Sequence, residues 1–317
     1  MAVIAVYSMK GGVGKTTIAV DLAWRFSQTG GHNTLLYDLD PQGGSGFLLG
    51  HEERKLQRAV SAFHHNRAPR DLIEPTRYDG LSLIGADQSL RDLPVQLARI
   101  GSRKRLAQML NFMKGEYSRI VLDCPPMINE VSEQIMEAAD LIVVPLPASP
   151  LAARAFGFIC KELAKNPGHP PVLPVLSMYD KRRKLHRWVR ENAGANWPVI
   201  PQSSHVEQVA VRREPIAAFA NWSPASKGFE HLHAALEAKL AQMGLAGTPG
   251  GGQRALPRPQ AEPAATPASE SARVVPIRES APARQAAPNG GRQADRPDAL
   301  RVPPPADDGL SRRAFSF

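Results

Sequence analysis

The chain has 317 residues and a formal net charge of +9, enough length for one large domain or two small ones and a basic balance that favours a polyanionic partner. Two cysteines, Cys124 and Cys160, exclude a disulfide framework and fit a reducing cytosol. No stretch reaches about 18 uninterrupted apolar residues and no basic segment leads an apolar one at the N-terminus, so the expectation is a soluble intracellular protein, neither exported nor membrane-spanning.

Residues 3–6 form an apolar run that predicts a buried strand, and the chain passes from it straight into a glycine-rich loop and a helix predicted over 16–28. Strand, glycine loop and helix in that order let backbone N–H groups and a helix N-terminus hold phosphate. Gly11, Gly12 and Gly14 allow the backbone to approach phosphate oxygens and, with Val13, line the loop. Lys15 is placed to reach the β- and γ-phosphates of ATP, the Thr16 hydroxyl to ligate Mg²⁺, and Thr17 to contact the α-phosphate. The strict spacing G-x-x-x-x-G-K-[ST] fails at Met9, where its first glycine belongs, and an additional lysine, Lys10, follows.

A second strand over 34–37 ends in Asp38-Leu39-Asp40-Pro41-Gln42-Gly43-Gly44. Two carboxylates one residue apart at a strand end can both hold a metal's water shell and orient an attacking water. A strand over 81–84 and a helix over 99–114 come next, and then residues 120–122 predict a strand that ends in Asp123. That strand delivers a further carboxylate to the metal side of the loop, and Pro125-Pro126 stop it. Cys124, between them, reads as inert. A helix over 132–139, a strand over 141–144, a helix over 152–165, a strand over 172–176, a helix over 183–193 and a final core-packing helix marked by Leu232, Leu236 and Leu240 complete the pattern. The alternation predicts an α/β fold, a doubly wound, mostly parallel sheet of the P-loop NTPase kind, with ligands at the carboxyl ends of the strands.

With Lys10, Asp38, Asp40 and Asp123 in this order, the chain resembles the ParA/MinD family, whose deviant Walker A loop carries a second lysine at the position of Lys10. Asp38 to Gly44 is similar to that family's Walker A′ element, with Gly44 in place of the usual Asn, and Asp123-Cys124-Pro125-Pro126 is similar to its Walker B end. The block Ala139 to Pro145, the stretch Val175 to Asp180 and Val199-Ile200-Pro201 extend the likeness to about residue 240. The resemblance implies that Lys10 crosses a dimer interface to the partner's nucleotide and forms the catalytic set with Lys15 and Asp40. It also implies that Asp38 joins Thr16 and Asp123 in the Mg²⁺ network, and that Met178 and Pro201 lie by the adenine.

Between 181 and 190, six of ten residues are fixed cations: Lys181, Arg182, Arg183, Lys184, Arg187 and Arg190, with Leu185, Trp188 and Val189 spaced to pack one helical face. Such a face either contacts nucleic-acid phosphates or is a solvated surface; in the resembled family, basic residues of this half bind DNA without sequence preference. Arg99, Arg103, Lys104 and Arg105 either extend the patch or are a solvated cluster of their own. His64-His65 and His231-x-His233 show no metal-ligand spacing and read as surface residues, so nucleotide-bound Mg²⁺ is the one metal expected.

Composition changes near Gly244. Residues 245–317 hold ten Arg, no Lys, seven acidic residues and twelve of the 29 prolines, too little apolar surface to offset chain entropy, so a disordered Pro/Ala/Gly/Arg-rich tail is expected after a domain over 1–244. The last residues, Arg312 to Phe317, are either a docking motif or only a terminus. The resemblance implies an ATP-dependent homodimer that binds DNA and drives plasmid or chromosome partition or cargo positioning. A ParB-like or cargo-bound activator would accelerate its slow hydrolysis, and its place would be cytoplasmic and nucleoid-associated, with no membrane. No helix-turn-helix precedes the first strand, as in the short form of that family. Two other readings share the loop. One is a MinD-like membrane-associated ATPase, against which the lack of a terminal amphipathic helix counts. The other is a P-loop enzyme of metabolism or metal delivery, against which the lack of a cysteine pair at cluster spacing counts.

Overall fold

In the computed structural model, alternate residues of each central strand divide between two apolar layers, which is why the sheet is covered on both faces. Val3 and Ala5 of β1 (Ala2–Val6) point to one layer with Leu35, Tyr37, Ile120 and Leu122, while Ala2, Ile4 and Val6 point to the other with Leu36, Val121, Leu141 and Val143. The structure describes residues 1–51, 59–63, 69–166 and 168–247. His64-His65 and the tail expected from 245, apart from its first three residues, lie outside them.

The strands are β1, β2 (Thr34–Asp38), β3 (Ile73–Pro75), β4 (Leu81–Ile84), β5 (Arg119–Asp123), β6 (Leu141–Pro147), β7 (Val172–Tyr179) and β8 (Val199–Pro201), in the order β3-β4-β2-β5-β1-β6-β7-β8. Every pairing is parallel except β3 with β4. The chain runs outward from β1 through β2 to β4, returns to insert β5 beside β1, then continues on β1's other side with β6. This reversal opens a crevice at the carboxyl end of β1, where ligands of such sheets bind. Register brings two carboxylates there, because Asp38 of β2 is the direct neighbour of Asp123 of β5.

The helices are α1 (Lys15–Gln28), α2 (Gly44–Leu48), α3 (Leu93–Ile100), α4 (Arg105–Asn111), α5 (Glu130–Ala138), α6 (Pro150–Leu163), α7 (Lys184–Asn192), α8 (Ser204–Arg212), α9 (Ile216–Phe219) and α10 (Pro224–Gln242). On α1, Ile18, Leu22 and Phe26 are buried at four-residue spacing, and α10 buries Phe229, Leu232, Leu236 and Leu240 in the same layer. Arg25 ties the two helices: its Nη2 donates to the Ser226 carbonyl at 3.0 Å and hydroxyl at 2.8 Å, while its Nε bonds Asp21 at 2.5 Å. Helix α5 starts on a capping box, Asn129 accepting from the Val131 N–H and Ser132 from the Asn129 N–H.

Several expectations need correction. The helix expected over 99–114 is two helices, because Gly101 adopts φ 67 and ends α3 by donating its N–H to the Leu97 carbonyl. Its basic cluster is dispersed with it. Arg103 and Lys104 pair with Glu133 and Glu137 of α5 at 3.4 and 3.1 Å, and Arg105 is buried, its Nε donating to the Phe63 carbonyl. His233 is a core residue, 8% exposed and edge-on to Phe26 with centroids 5.0 Å apart. Of the α7 face expected to pack, Val189 is half-buried, while Leu185 at 40% and Trp188 at 48% are exposed. His186 packs in their place, and its Nδ1 accepts the Asp180 N–H at 3.0 Å.

A phosphate loop backed by two buried carboxylates

The glycine loop joins β1 to α1 as a left-handed turn, Gly12 at φ 69 and Gly14 at φ 94, conformations that suit glycine alone at small cost. An added Cβ at Gly11, Gly12 or Gly14 would meet no other atom of the described residues within 4 Å, so the loop presents bare backbone to open space. Side chains there would fill the volume that phosphate oxygens need. Lys15, at the first position of α1, is buried and folds back to donate from Nζ to the Lys10 carbonyl at 3.3 Å. Burial lowers its pKa, against Asp123 and Asp40, which work to keep it charged. The Lys10 ammonium makes no ion pair among the described residues.

Behind the loop, Asp38 is wholly buried and accepts two backbone N–H groups, Asp40 on Oδ1 at 3.0 Å and Ser45 on Oδ2 at 2.9 Å. Asp123, equally buried, accepts the Ser45 hydroxyl on Oδ2 at 2.8 Å, while its Oδ1 has no hydrogen-bond partner among the described residues. Burial and the neighbouring Asp123 push Asp38 well above the usual carboxylate range, and the N–H groups of Ser45 and Asp40 only partly oppose them. Burial likewise pushes Asp123 up to about 6, against the hydroxyls of Ser45 and Thr16. Two carboxylates side by side in an apolar sheet, one with an orphaned oxygen, are a donor set that a divalent cation satisfies. Together with the open loop and Thr16, the residues present fit Mg²⁺ and a nucleotide triphosphate. Asp40 is half-buried at the turn: its Oδ1 accepts the Gln42 N–H at 3.1 Å and its carbonyl the Gly43 N–H at 2.9 Å.

Met178 and Pro201 come together at the carboxyl end of the sheet, since Tyr179 of β7 pairs with Pro201 of β8 after a register shift. Met178 sits in that irregularity at φ 53 and is 41% exposed, a strained backbone position of the kind found at ligand sites. The six cations of the 181–190 stretch do not act alike. Arg182 forms a fork with Asp180, 3.0 Å at both contacts, and these bonds hold Asp180 at about 2. Arg190 donates to the Gly194 and Trp197 carbonyls and Arg187 to the Lys181 and Arg182 carbonyls at 2.9 and 3.1 Å, whereas Lys181, Arg183 and Lys184 are exposed. Ser45 is the site residue that sequence reasoning missed. Its signal was slight, a serine after two glycines at the start of a five-residue helix, and only the fold brings it to Asp123.

Residues 1–165 match the family model described as "AAA domain". The chain is 29% identical over 231 residues to the chromosome partitioning protein ParA of Caulobacter vibrioides, covering 68% of this chain and 86% of that one. It is 30% identical over 240 residues to the chromosome-partitioning ATPase Soj of Thermus thermophilus, covering 72% and 92%. Among solved structures it is similar to cobyrinic acid a,c-diamide synthase from Mycobacterium smegmatis with bound ATP analog and magnesium, at 28% identity and TM-score 0.57 over 70% of this chain and 95% of that one. With this match over half its length and these relatives over most of theirs, the chain belongs to the ParA/MinD family of P-loop ATPases.

Proposed function

We propose that this protein is an ATP-driven dimerising switch that binds DNA without sequence preference and partitions a replicon or positions another large cargo. The observation that carries the reading is the gathering of Lys10, Lys15, Thr16, Asp38, Asp40 and Asp123 around one open glycine loop. Gly11, Gly12, Val13, Gly14, Lys15, Thr16 and Thr17 would hold the phosphates, Met178 and Pro201 the base, and Thr16, Asp38 and Asp123 the Mg²⁺ shell. Mg²⁺, when bound, neutralises phosphate charge. Asp40, whose turn leaves its second carboxylate oxygen without a hydrogen bond from the described residues, orients the attacking water. Lys10, half-buried and without an ion pair among those residues, reaches the nucleotide of a second subunit. Hydrolysis by one subunit alone is slow, and a ParB-like or cargo-bound activator accelerates it. The names of the relatives, a chromosome partitioning protein and a chromosome-partitioning ATPase, support partition as the output.

DNA is held by α7 and the turn before it. Because Arg182, Arg187 and Arg190 are engaged within the chain, Lys181, Arg183 and Lys184 supply the contacts, and three neutralised phosphates give a slope of log affinity on log salt of about −3. On this reading the protein works in the cytoplasm on the nucleoid and needs no membrane. Co-sedimentation with plasmid DNA tests it: binding is expected with ATP and Mg²⁺, not with ADP, and is lost when Lys181, Arg183 and Lys184 become Glu. Absence of ATP-dependent DNA binding by the wild type overturns the reading.

A further inference from the structure

Asp38 and Asp123 are register partners on adjacent parallel strands, both wholly buried, and one residue donates to both. Ser45, itself buried, gives its N–H to Asp38 Oδ2 at 2.9 Å and its hydroxyl to Asp123 Oδ2 at 2.8 Å. A hydroxyl has one hydrogen to give, so this one is committed to Asp123. The carboxylate torsion of an Asp is soft and roughly two-fold, so the short Ser45 bond to one oxygen, stronger than the pull of the Thr16 hydroxyl, fixes how the group turns. Here it engages Oδ2 and leaves Oδ1 without a hydrogen-bond partner among the described residues.

The same residue closes the segment that carries Asp40. Asp38 accepts the Asp40 N–H at the segment's start and the Ser45 N–H at its end, so residues 40–45 are looped around one carboxylate, and the Ser45 hydroxyl fastens that loop to the neighbouring strand. It adds a direct side-chain bond between α2 and the Asp123 strand to the Leu39 N–H that already donates to the Asp123 carbonyl at 2.9 Å.

We infer that Ser45 is a positioning residue: its hydroxyl orients Asp123 so that Oδ1 is left free for the metal's ligand shell, and it couples that carboxylate to the turn bearing Asp40. The inference rests on the reading of the site as one for ATP and Mg²⁺. A purely structural serine would satisfy a buried carboxylate and affect stability alone; a positioning serine sets how strongly Mg²⁺ improves nucleotide binding.

The test is a titration of Mg²⁺ against a fluorescent ATP analogue bound to the full chain, with a parallel measurement in EDTA and thermal unfolding of each variant without nucleotide. Ser45→Ala is expected to raise the Mg²⁺ half-saturation about 10- to 100-fold, the usual effect of removing an outer-shell partner, while affinity in EDTA stays within about twofold. Ser45→Thr, which keeps the hydroxyl, restores wild-type half-saturation. Ser45→Cys, close in size with a weak donor, moves half-saturation in the same direction as Ser45→Ala and decides the matter if the alanine variant does not fold. Unchanged half-saturation in the alanine and cysteine variants, beside a wild type that does gain affinity with Mg²⁺, overturns the role of Ser45 alone. A wild type that gains nothing from Mg²⁺ overturns the role together with the reading of the site.

Discussion

Two glycines of the same short helix give the site a paired test. At Gly44 an added Cβ would lie 3.0 Å from Thr16 Cγ2 and 3.5 Å from Thr16 Oγ1; at Gly46 the nearest atoms would be Leu83 Cδ2 at 3.7 Å and His51 Cβ at 4.0 Å. The first contact is about 0.5–1 Å inside the favourable carbon separation, the second is ordinary. Gly44→Ala therefore forces Thr16 to shift or rotate, and rotation carries its hydroxyl away from Asp123. Overpacking costs about 1–3 kcal/mol and alanine's helix preference returns about 1, so stability should fall by about 0–2 kcal/mol. Turnover should fall further than stability, by about tenfold or more, because sub-ångström misplacement at reacting groups is magnified in rate. Gly46→Ala should gain about 0.5–1 kcal/mol and keep turnover within about twofold. Urea unfolding and steady-state ATP hydrolysis at saturating Mg²⁺ read both quantities. Equal turnover in the two variants would refute the placement of Thr16 against the Asp38–Ser45 segment.

Asp40→Ala should bind nucleotide normally and hydrolyse it about 10²- to 10⁴-fold more slowly; wild-type hydrolysis would move the water-orienting role elsewhere. Arg119, 0% exposed, forks onto Glu237 at 3.1 and 2.8 Å and donates to the Leu245 and Ala246 carbonyls. Arg119→Met should cost about 1–3 kcal/mol in urea unfolding by leaving Glu237, 26% exposed, with His32 as its remaining partner among the described residues, and adding Glu237→Gln should return part of it; a loss below about 0.5 kcal/mol contradicts the clamp. The same corner sets acid stability. Burial lowers His233 from 6.5 to about 4, while the His32 and Arg119 bonds overcome burial and hold Glu237 at about 2. Both folded values lie below the unfolded ones, so both contributions are complete above pH 6.5 and are lost as pH falls, His233's first. His233 supplies roughly 3 kcal/mol of that loss between pH 6.5 and 4. His233→Leu should flatten this limb of the urea-midpoint profile and spare the limb below pH 4; an unchanged upper limb sinks the assignment.

What the sequence disclosed of the site was whatever depended on local order. The strand–glycine loop–helix run and the aspartates at strand ends carry their own geometry, because a parallel sheet presents all strand ends on one edge. The sheet order was not so legible: nothing in residues 119–123 states that β5 inserts between β1 and β2, and only that insertion makes Asp38 and Asp123 neighbours. Ser45 was hidden for the same reason, since its partner is 78 residues away. Periodicity misjudged α7 because Leu185 and Trp188 are apolar at the right spacing, yet the helix lies at the β7–β8 edge, where His186 with its Asp180 bond fills the contact and the apolar pair stays outside. His233 erred in the opposite sense. A histidine is polar by composition, but with Phe26 against its ring and its Nε2 unpartnered it behaves as a buried neutral ring. In both cases side-chain type was a poorer guide than position on the sheet. That is also why α7 and the turn before it, where Arg182, Arg187 and Arg190 are bound within the chain and Lys181, Arg183 and Lys184 are exposed, have to be tested residue by residue rather than as a count of charges.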